Sequence, residues 1–143
     1  MNWNQQIIEE FRANEGRVGG RFRGFPLLLL HHRGARSGTE RVNPLAYRAL
    51  GDGAVAVFAS KGGSPTNPDW YHNLRAHPDV RAEIGTRTIP MRARVAEGEE
   101  RERIWRAQTR DAPAFGEYET RSGRTIPVVI LEPRTVSDGD RQR

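Results

Sequence analysis

The chain has no cysteine and one lysine. Without thiols there is no disulfide framework, no thiolate metal site and no cysteine nucleophile. That composition suits a reducing compartment, and the cytoplasm is the expected location. Long apolar runs are also missing. The stretch Phe25-Pro26-Leu27-Leu28-Leu29-Leu30 ends in His31-His32-Arg33, well short of the roughly 18 residues a membrane span needs. Met1 to Gln6 lacks the basic start and apolar middle of a secretory signal. Acidic residues are the minority, 18 against 23 Lys+Arg, which leaves a net charge of +5 and a pI near 10.6. The surplus favours an anionic partner such as a phosphorylated cofactor, nucleic acid or a lipid surface. The basic-aromatic interleaving of single-strand binders is absent, so nucleic acid is not expected.

Metal and hydrolytic chemistry find little support. His31 and His32 are adjacent on a strand candidate and face opposite sides, and His72 and His77 stand five apart before Pro78, so no metal is expected. Ser37 and Ser60 lack a nucleophile-elbow setting. Glu97, Glu99, Glu100 and Glu102 read as the solvated start of a helix.

What is present reads as one domain over residues 1–133 with a frayed polar tail over 134–143. Trp3, Ile7, Ile8 and Phe11 recur at helical spacing. A Gly/Arg linker follows from Gly16 to Gly24. Strands are predicted over 26–32, 41–50, 54–60, 80–84, 86–95 and 125–131, with helices over 69–76 and 97–109 and a helical turn at 113–120. Pro44 inside the second strand implies an edge or a bulge. Gly51-Asp52-Gly53 is a hairpin signal, and Asn67-Pro68 suits a helix cap and first turn. Connections between strands are short and no repeated βαβ unit occurs. The expected fold is therefore α+β and mainly antiparallel: a barrel or highly curved sheet decorated by short helices.

Two loops carry candidate chemistry. Arg33-Gly34-Ala35-Arg36-Ser37-Gly38-Thr39-Glu40-Arg41 gathers arginine forks and hydroxyls around glycines that let backbone N–H groups approach a ligand. It is neither a Walker loop nor a Rossmann fingerprint. The second is Ala59-Ser60-Lys61-Gly62-Gly63, where the lone ammonium suits an anion or a polar ring edge, or is simply a turn residue. It leads into Asn67-Pro68-Asp69-Trp70-Tyr71-His72-Asn73, a helix start of the kind that attracts anions. If the strands before the two loops pair, both loops can flank one pocket.

Four ordered blocks now carry a resemblance. They are Arg36-Ser37-Gly38 through Arg41-Val42-Asn43-Pro44-Leu45, Ala59 to Gly63, Asn67 to Leu74, and Arg124-Thr125-Ile126-Pro127-Val128-Val129. Over about Leu27 to Pro133 the chain resembles the deazaflavin-dependent nitroreductase family. The resemblance implies a split β-barrel of the flavin-reductase type and binding of coenzyme F420, an 8-hydroxy-5-deazaflavin with an anionic tail. By the family's pattern Arg36, Ser37, Gly38 and Arg41 lie near the phosphate and tail. Asn43, Pro44 and Leu45 line the ring's approach. Ala59, Ser60 and Lys61 contact the deazaflavin, and Asp69, Trp70, Tyr71 and Asn73 close over it.

The substrate side is Ala112, Phe115 and Tyr118. Nitroimidazole-reducing members carry hydroxyl-bearing rings where Ala112 and Phe115 stand here, and only Tyr118 keeps one. The implied activity is transfer of hydride from reduced F420 to a quinone, nitroaromatic or similar activated acceptor, with Ser60 bonding the ring edge and Tyr118 or solvent protonating the product. The alternatives are a non-catalytic F420 carrier, towards which Phe115 leans, and a flavin-mononucleotide barrel reductase. The expected partner is a small-molecule redox acceptor, and the expected assembly a monomer or homodimer.

Overall fold

Six antiparallel strands close into a barrel in the computed structural model, which describes residues 3–17, 26–61 and 66–134. Most of the Gly/Arg linker, Gly62, Gly63 and the tail beyond Arg134 lie outside the described residues. In chain order the elements are α1 (Trp3–Ala13), β1 (Leu27–Arg33), β2 (Glu40–Gly51), β3 (Ala54–Phe58), α2 (Asp69–Ala76), β4 (Asp79–Ile84), β5 (Arg87–Val95), α3 (Gly98–Asp111), α4 (Ala114–Ser122) and β6 (Val128–Pro133). Around the barrel the strands run β1-β2-β3-β6-β5-β4, and β4 closes on β1.

Side-chain alternation decides what each face packs against. Leu28 and Leu30 of β1, Val55 and Val57 of β3, and Val129 and Leu131 of β6 fill the interior with Trp70, Tyr71 and Leu74 of α2. The outer face of β3 and β6 (Ala56, Phe58, Val128, Ile130) is covered by Ile104 and Trp105 of α3 and Phe115 of α4. The outer face of β1, Leu27 and Leu29, is covered by Ile7 and Phe11 of α1. The amphipathic first helix thus serves the core rather than a free surface.

Several boundaries differ from expectation, four of them with a physical cause. β3 stops at Phe58 and β6 begins at Val128. Between them only Ala59 N–H, donating to Pro127 O at 3.0 Å, continues the pairing. Before β6, Ile126 donates its N–H to Glu119 and accepts from Arg101, so side chains of α3 and α4 replace a strand neighbour. The predicted turn at 113–120 is a full helix, ended by Gly123 in the left-handed region (φ 68°). Nor does Asn67 cap α2. Pro68 holds the cap position without a side-chain bond, and Arg124 takes the Asn67 Oδ1.

Pro44 lies in β2, which has a neighbour on each side. The pairing explains how it is tolerated. Glu40 to Ala46 pair with β1 alone, and β3 joins only from Tyr47 onward. Bonds at Tyr47 N–H to Pro26 O and Gly34 N–H to Thr39 O set the ladder's phase. In that phase Leu45 and Asn43 aim their backbone groups at β1, and Pro44 aims its missing donor at the uncovered edge.

Candidate functional site

Strand direction answers where the two loops lie. β1 and β3 are both antiparallel to β2, so they run the same way, and the register sets the end of β3 level with the start of β1. α2 and its lead-in link the turn after β1 to the loop after β3: Asn73 accepts from Ala35 N–H, and Asn67 shares Arg124 with Ala59. The first seven residues of β2 continue past the end of β3, roughly 20 Å of strand with one edge uncovered. The result is a cleft, with that edge and the 34–39 turn on one side and the Ala59–Lys61 segment on the other. α2 connects β3 to β4 and drives Trp70, Tyr71 and Leu74 into the interior.

The turn is built around Gly34. Its N–H donates to Thr39 O and its carbonyl accepts from Gly38 N–H, each at 2.9 Å. A Cβ on Gly34 would stand 2.6 Å from Ser37 Oγ, and that oxygen already accepts the Thr39 N–H at 3.1 Å. Gly38, at φ 71°, has open space around it. The charges here are clustered, whereas the other described arginines without an ion pair, such as Arg75, Arg87 and Arg106, are scattered along the chain. Arg12, Arg48, Arg81, Arg92, Arg94, Arg101 and Arg110 all pair with carboxylates. Exposed Arg33, Arg36 and Arg41 form no ion pair among the described residues. Three guanidiniums without counter-charge give this end of the barrel a positive potential that favours anions.

Opposite, one guanidinium holds the second loop. Arg124, just before β6, donates to the carbonyls of Ala59 (2.9 Å), Ser60 (3.2 Å) and Thr66 (3.1 Å), and to Asn67 Oδ1. Lys61 sits in the left-handed region at φ 46°, where a side chain costs energy. Its ammonium is exposed, with Thr66 Oγ1 at 3.4 Å.

A hydrogen-bonded series joins the turn to the barrel. Ala35 N–H donates to Asn73 Oδ1 at 2.8 Å, Asn73 Nδ2 meets His32 Nδ1 at 3.1 Å, and His32 Nε2 meets Asn43 Oδ1 at 2.7 Å. Burial holds the His32 pKa below its usual 6.5, against the opposing pull of the bond to Asn43, and Arg41 and His31 add to the lowering. The ring is therefore neutral near pH 7.

Arg36, Ser37 and Gly38 lie in the turn between β1 and β2, Arg41, Asn43 and Leu45 on the half-paired stretch of β2, Ala59, Ser60 and Lys61 after β3, and Asp69 and Asn73 on α2. Trp70 and Tyr71 are buried in the interior core, and Pro44 belongs to the face opposite Asn43 and Leu45. Ala112 and Phe115 are buried in the outer cluster, where the Phe115 ring meets Phe58 and Tyr118 edge-on at 5.4 Å. They touch the cleft through Phe58, the residue before Ala59. His32 and Arg124, to which sequence reasoning assigned no role, hold these segments in place by hydrogen bonds. A cavity of about 230 Å³ lies at the end of β1, beside His31, His32, Arg33, Glu40 and Arg81, and one of about 210 Å³ lies beside Tyr71, Leu74 and Val129. No cluster of metal-ligating side chains occurs among the described residues.

A family model described as F420H(2)-dependent quinone reductase matches residues 3–133. The chain belongs to that family. It is 38% identical over 128 residues to an F420H(2)-dependent quinone reductase of Mycobacterium tuberculosis, covering 87% of this chain and 85% of the relative. A second protein of that organism, named a putative F420H(2)-dependent quinone reductase, is 41% identical over 119 residues, 82% of this chain and 99% of its own. Among solved structures, an F420-H2 dependent reductase (FDR-A) is 40% identical with a TM-score of 0.69, covering 81% of this chain and 98% of that one. A structure described as a domain-swapped dimer is 36% identical with a TM-score of 0.70, covering 90% and 95%. The split barrel and the F420-dependent oxidoreductase class read from the motif blocks are borne out. The family's description names a quinone, not a nitro compound, as acceptor. A structure described as a putative pyridoxamine 5'-phosphate oxidase from Listeria innocua, 14% identical with a TM-score of 0.54, shares the fold alone.

Proposed function

We propose that this protein reduces quinones, holding reduced F420 in the cleft between the 34–39 turn and the Ala59–Lys61 loop. The observation that carries the placement is the pair of cationic loops joined through α2 beside the open edge of β2, with Arg33, Arg36 and Arg41 lacking carboxylate partners among the described residues. The donor set fits the coenzyme. Guanidiniums and backbone N–H groups suit its anionic tail, and Ser60, Lys61 and the Asn43 amide suit the polar edge of its rings. When bound, the deazaflavin supplies the hydride.

The chain's own residues bind, orient and exclude water. Arg36, Ser37, Gly38 and Arg41 take the phosphate and tail. Asn43 and Leu45 present a polar and an apolar contact from the interior face of β2, and Pro44 shapes the open edge between them. Ala59, Ser60 and Lys61 meet the ring, and Lys61 favours negative charge there. Asp69, Trp70, Tyr71 and Asn73 close the cleft, the two aromatic rings as a floor anchored in the core. A quinone taking up hydride needs a proton as well, and Tyr118, the half-buried hydroxyl on α4, or solvent supplies it. Ala112 and Phe115 hold α4 against β3 and so set the shape of the acceptor side. Other activated acceptors such as nitroaromatics fit the same electron demand. The reading places the protein in the cytoplasm as a monomer or homodimer, with residues 1–133 forming one domain and the tail outside it.

The test is a side-by-side titration with F420 and flavin mononucleotide, followed by anaerobic mixing of reduced F420 with menadione. Tight F420 binding and oxidation of the coenzyme on mixing are expected. Binding without turnover would make the protein a carrier, and preference for flavin mononucleotide would make it a flavin reductase.

A further inference from the structure

The bonds around His32 have a direction. A backbone N–H can only donate, so Ala35 N–H makes Asn73 Oδ1 an acceptor. Asn73 must then turn its Nδ2 to His32, where Nδ1 accepts. A neutral ring accepting at Nδ1 carries its hydrogen on Nε2 and donates it to Asn43 Oδ1. That leaves Asn43 Nδ2. It has no partner among the described residues, and it is not shut away from solvent. Asn43 stands on the interior face of the β2 segment whose edge is uncovered. Both middle members of the series are buried, His32 at 2% and Asn73 at 6% exposure, so the arrangement is shielded from competing water.

We propose that His32 is a positioning residue for the coenzyme cleft, which through Asn73 and Asn43 fixes the Asn43 side chain as a hydrogen-bond donor toward the ligand. The site then selects an acceptor at that point, a carbonyl or anionic oxygen on the ring edge, over an N–H. The same series ties the 34–39 turn to α2 through Asn73, whose amide the ring orients. This rests on the F420 reading above.

Two measurements test it. The first is F420 affinity of the wild type and three variants by fluorescence titration, with thermal unfolding as a control for folding. His32→Leu removes both bonds and is expected to weaken F420 about tenfold or more, the effect of about 1.4 kcal/mol. His32→Gln keeps a donor at the reach of Nε2 and should stay within about threefold, since the bond to Asn43 survives. Asn43→Asp exchanges the presented donor for an acceptor and should weaken F420 at least as much as His32→Leu. If His32→Leu binds like wild type, or His32→Gln falls as far as His32→Leu, the positioning role is wrong. The second measurement reads the tautomer from imidazole nitrogen shifts in the unliganded protein. Hydrogen on Nε2 is expected, and hydrogen on Nδ1 would overturn the polarity whatever the protein binds. A wild type that binds no F420 would instead overturn the functional reading, and the tautomer result would still decide the direction of the bonds.

Discussion

Arg124 offers the sharpest perturbation, because one side chain holds both ends of the loop that carries Ser60 and Lys61. Its guanidinium reaches three backbone carbonyls and the Asn67 side chain. The group is half-buried, so each bond is worth less than a buried charged one. About 1 kcal/mol apiece, with some redundancy among four, gives roughly 2–3 kcal/mol for the set. That free energy orders the loop. Without it, coenzyme binding must supply the ordering, and Kd should rise about 30- to 150-fold at about 1.4 kcal/mol per tenfold. Arg124→Met keeps the stem and removes the donors. Arg124→Lys keeps the charge, but a compact ammonium cannot span the four acceptors, so it should recover little. Calorimetric titration with F420 gives Kd, and amide exchange over residues 59–67 reports the loop directly. Faster exchange confined to that segment is expected, with little change in the barrel strands. An Arg124→Met variant that binds F420 within threefold of wild type, with unchanged exchange at 59–67, would refute the reasoning.

Other expectations follow from single contacts. Lys61→Ala should weaken F420 in fluorescence titration more than Arg141→Ala in the tail, and equal affinities would remove Lys61 from the site. Phe11 is 1% exposed beneath α1, so Phe11→Ala should cost about 3–5 kcal/mol in urea unfolding. Stability should depend on pH through His32. Its native pKa lies below 6.5, so its contribution is complete above about 6.5 and is lost as pH falls from there through the native value. His32→Gln should flatten that leg in urea midpoints taken at successive pH values. Glu83 and Glu40 are held below 4.5 chiefly by bonds from Arg12 and His31, and their loss enters only at more acid pH. Phe115→Tyr should widen the acceptor range if α4 borders the acceptor, and an unchanged profile in steady-state assays would dissociate α4 from it.

Much of the barrel was legible from local pattern. The run at Leu27 to Leu30, the glycines flanking Asp52 and the periodicity at Ile7 and Phe11 each depend on near neighbours in sequence. So does the alternation that places His31 and His32 on opposite faces. What that alternation could not disclose is the company each histidine keeps. His32 meets residues 11 and 41 positions away, and nothing in a local window marks those pairings. His31 likewise lies between Glu40 and Glu83 of two different strands. Arg124 was visible as part of a motif, but its partners lie about 60 residues earlier. The start of β6 was misplaced for a related reason. Thr125 to Pro127 have strand-like composition, yet Glu119 and Arg101 claim the backbone of Ile126 before a neighbouring strand can. In the second loop, Asn67 has the chemistry of a cap and is diverted to Arg124.

The half-paired stretch of β2 poses a hazard that Pro44 answers. A bare strand margin is a template on which a second molecule can add a strand, and from such additions fibres and precipitates grow. At the centre of this margin the ring nitrogen has no hydrogen to offer, and Glu40 and Arg41 put charge at its end. A protein that must keep a slot open for a visiting cofactor is thereby spared from filling it with a copy of itself.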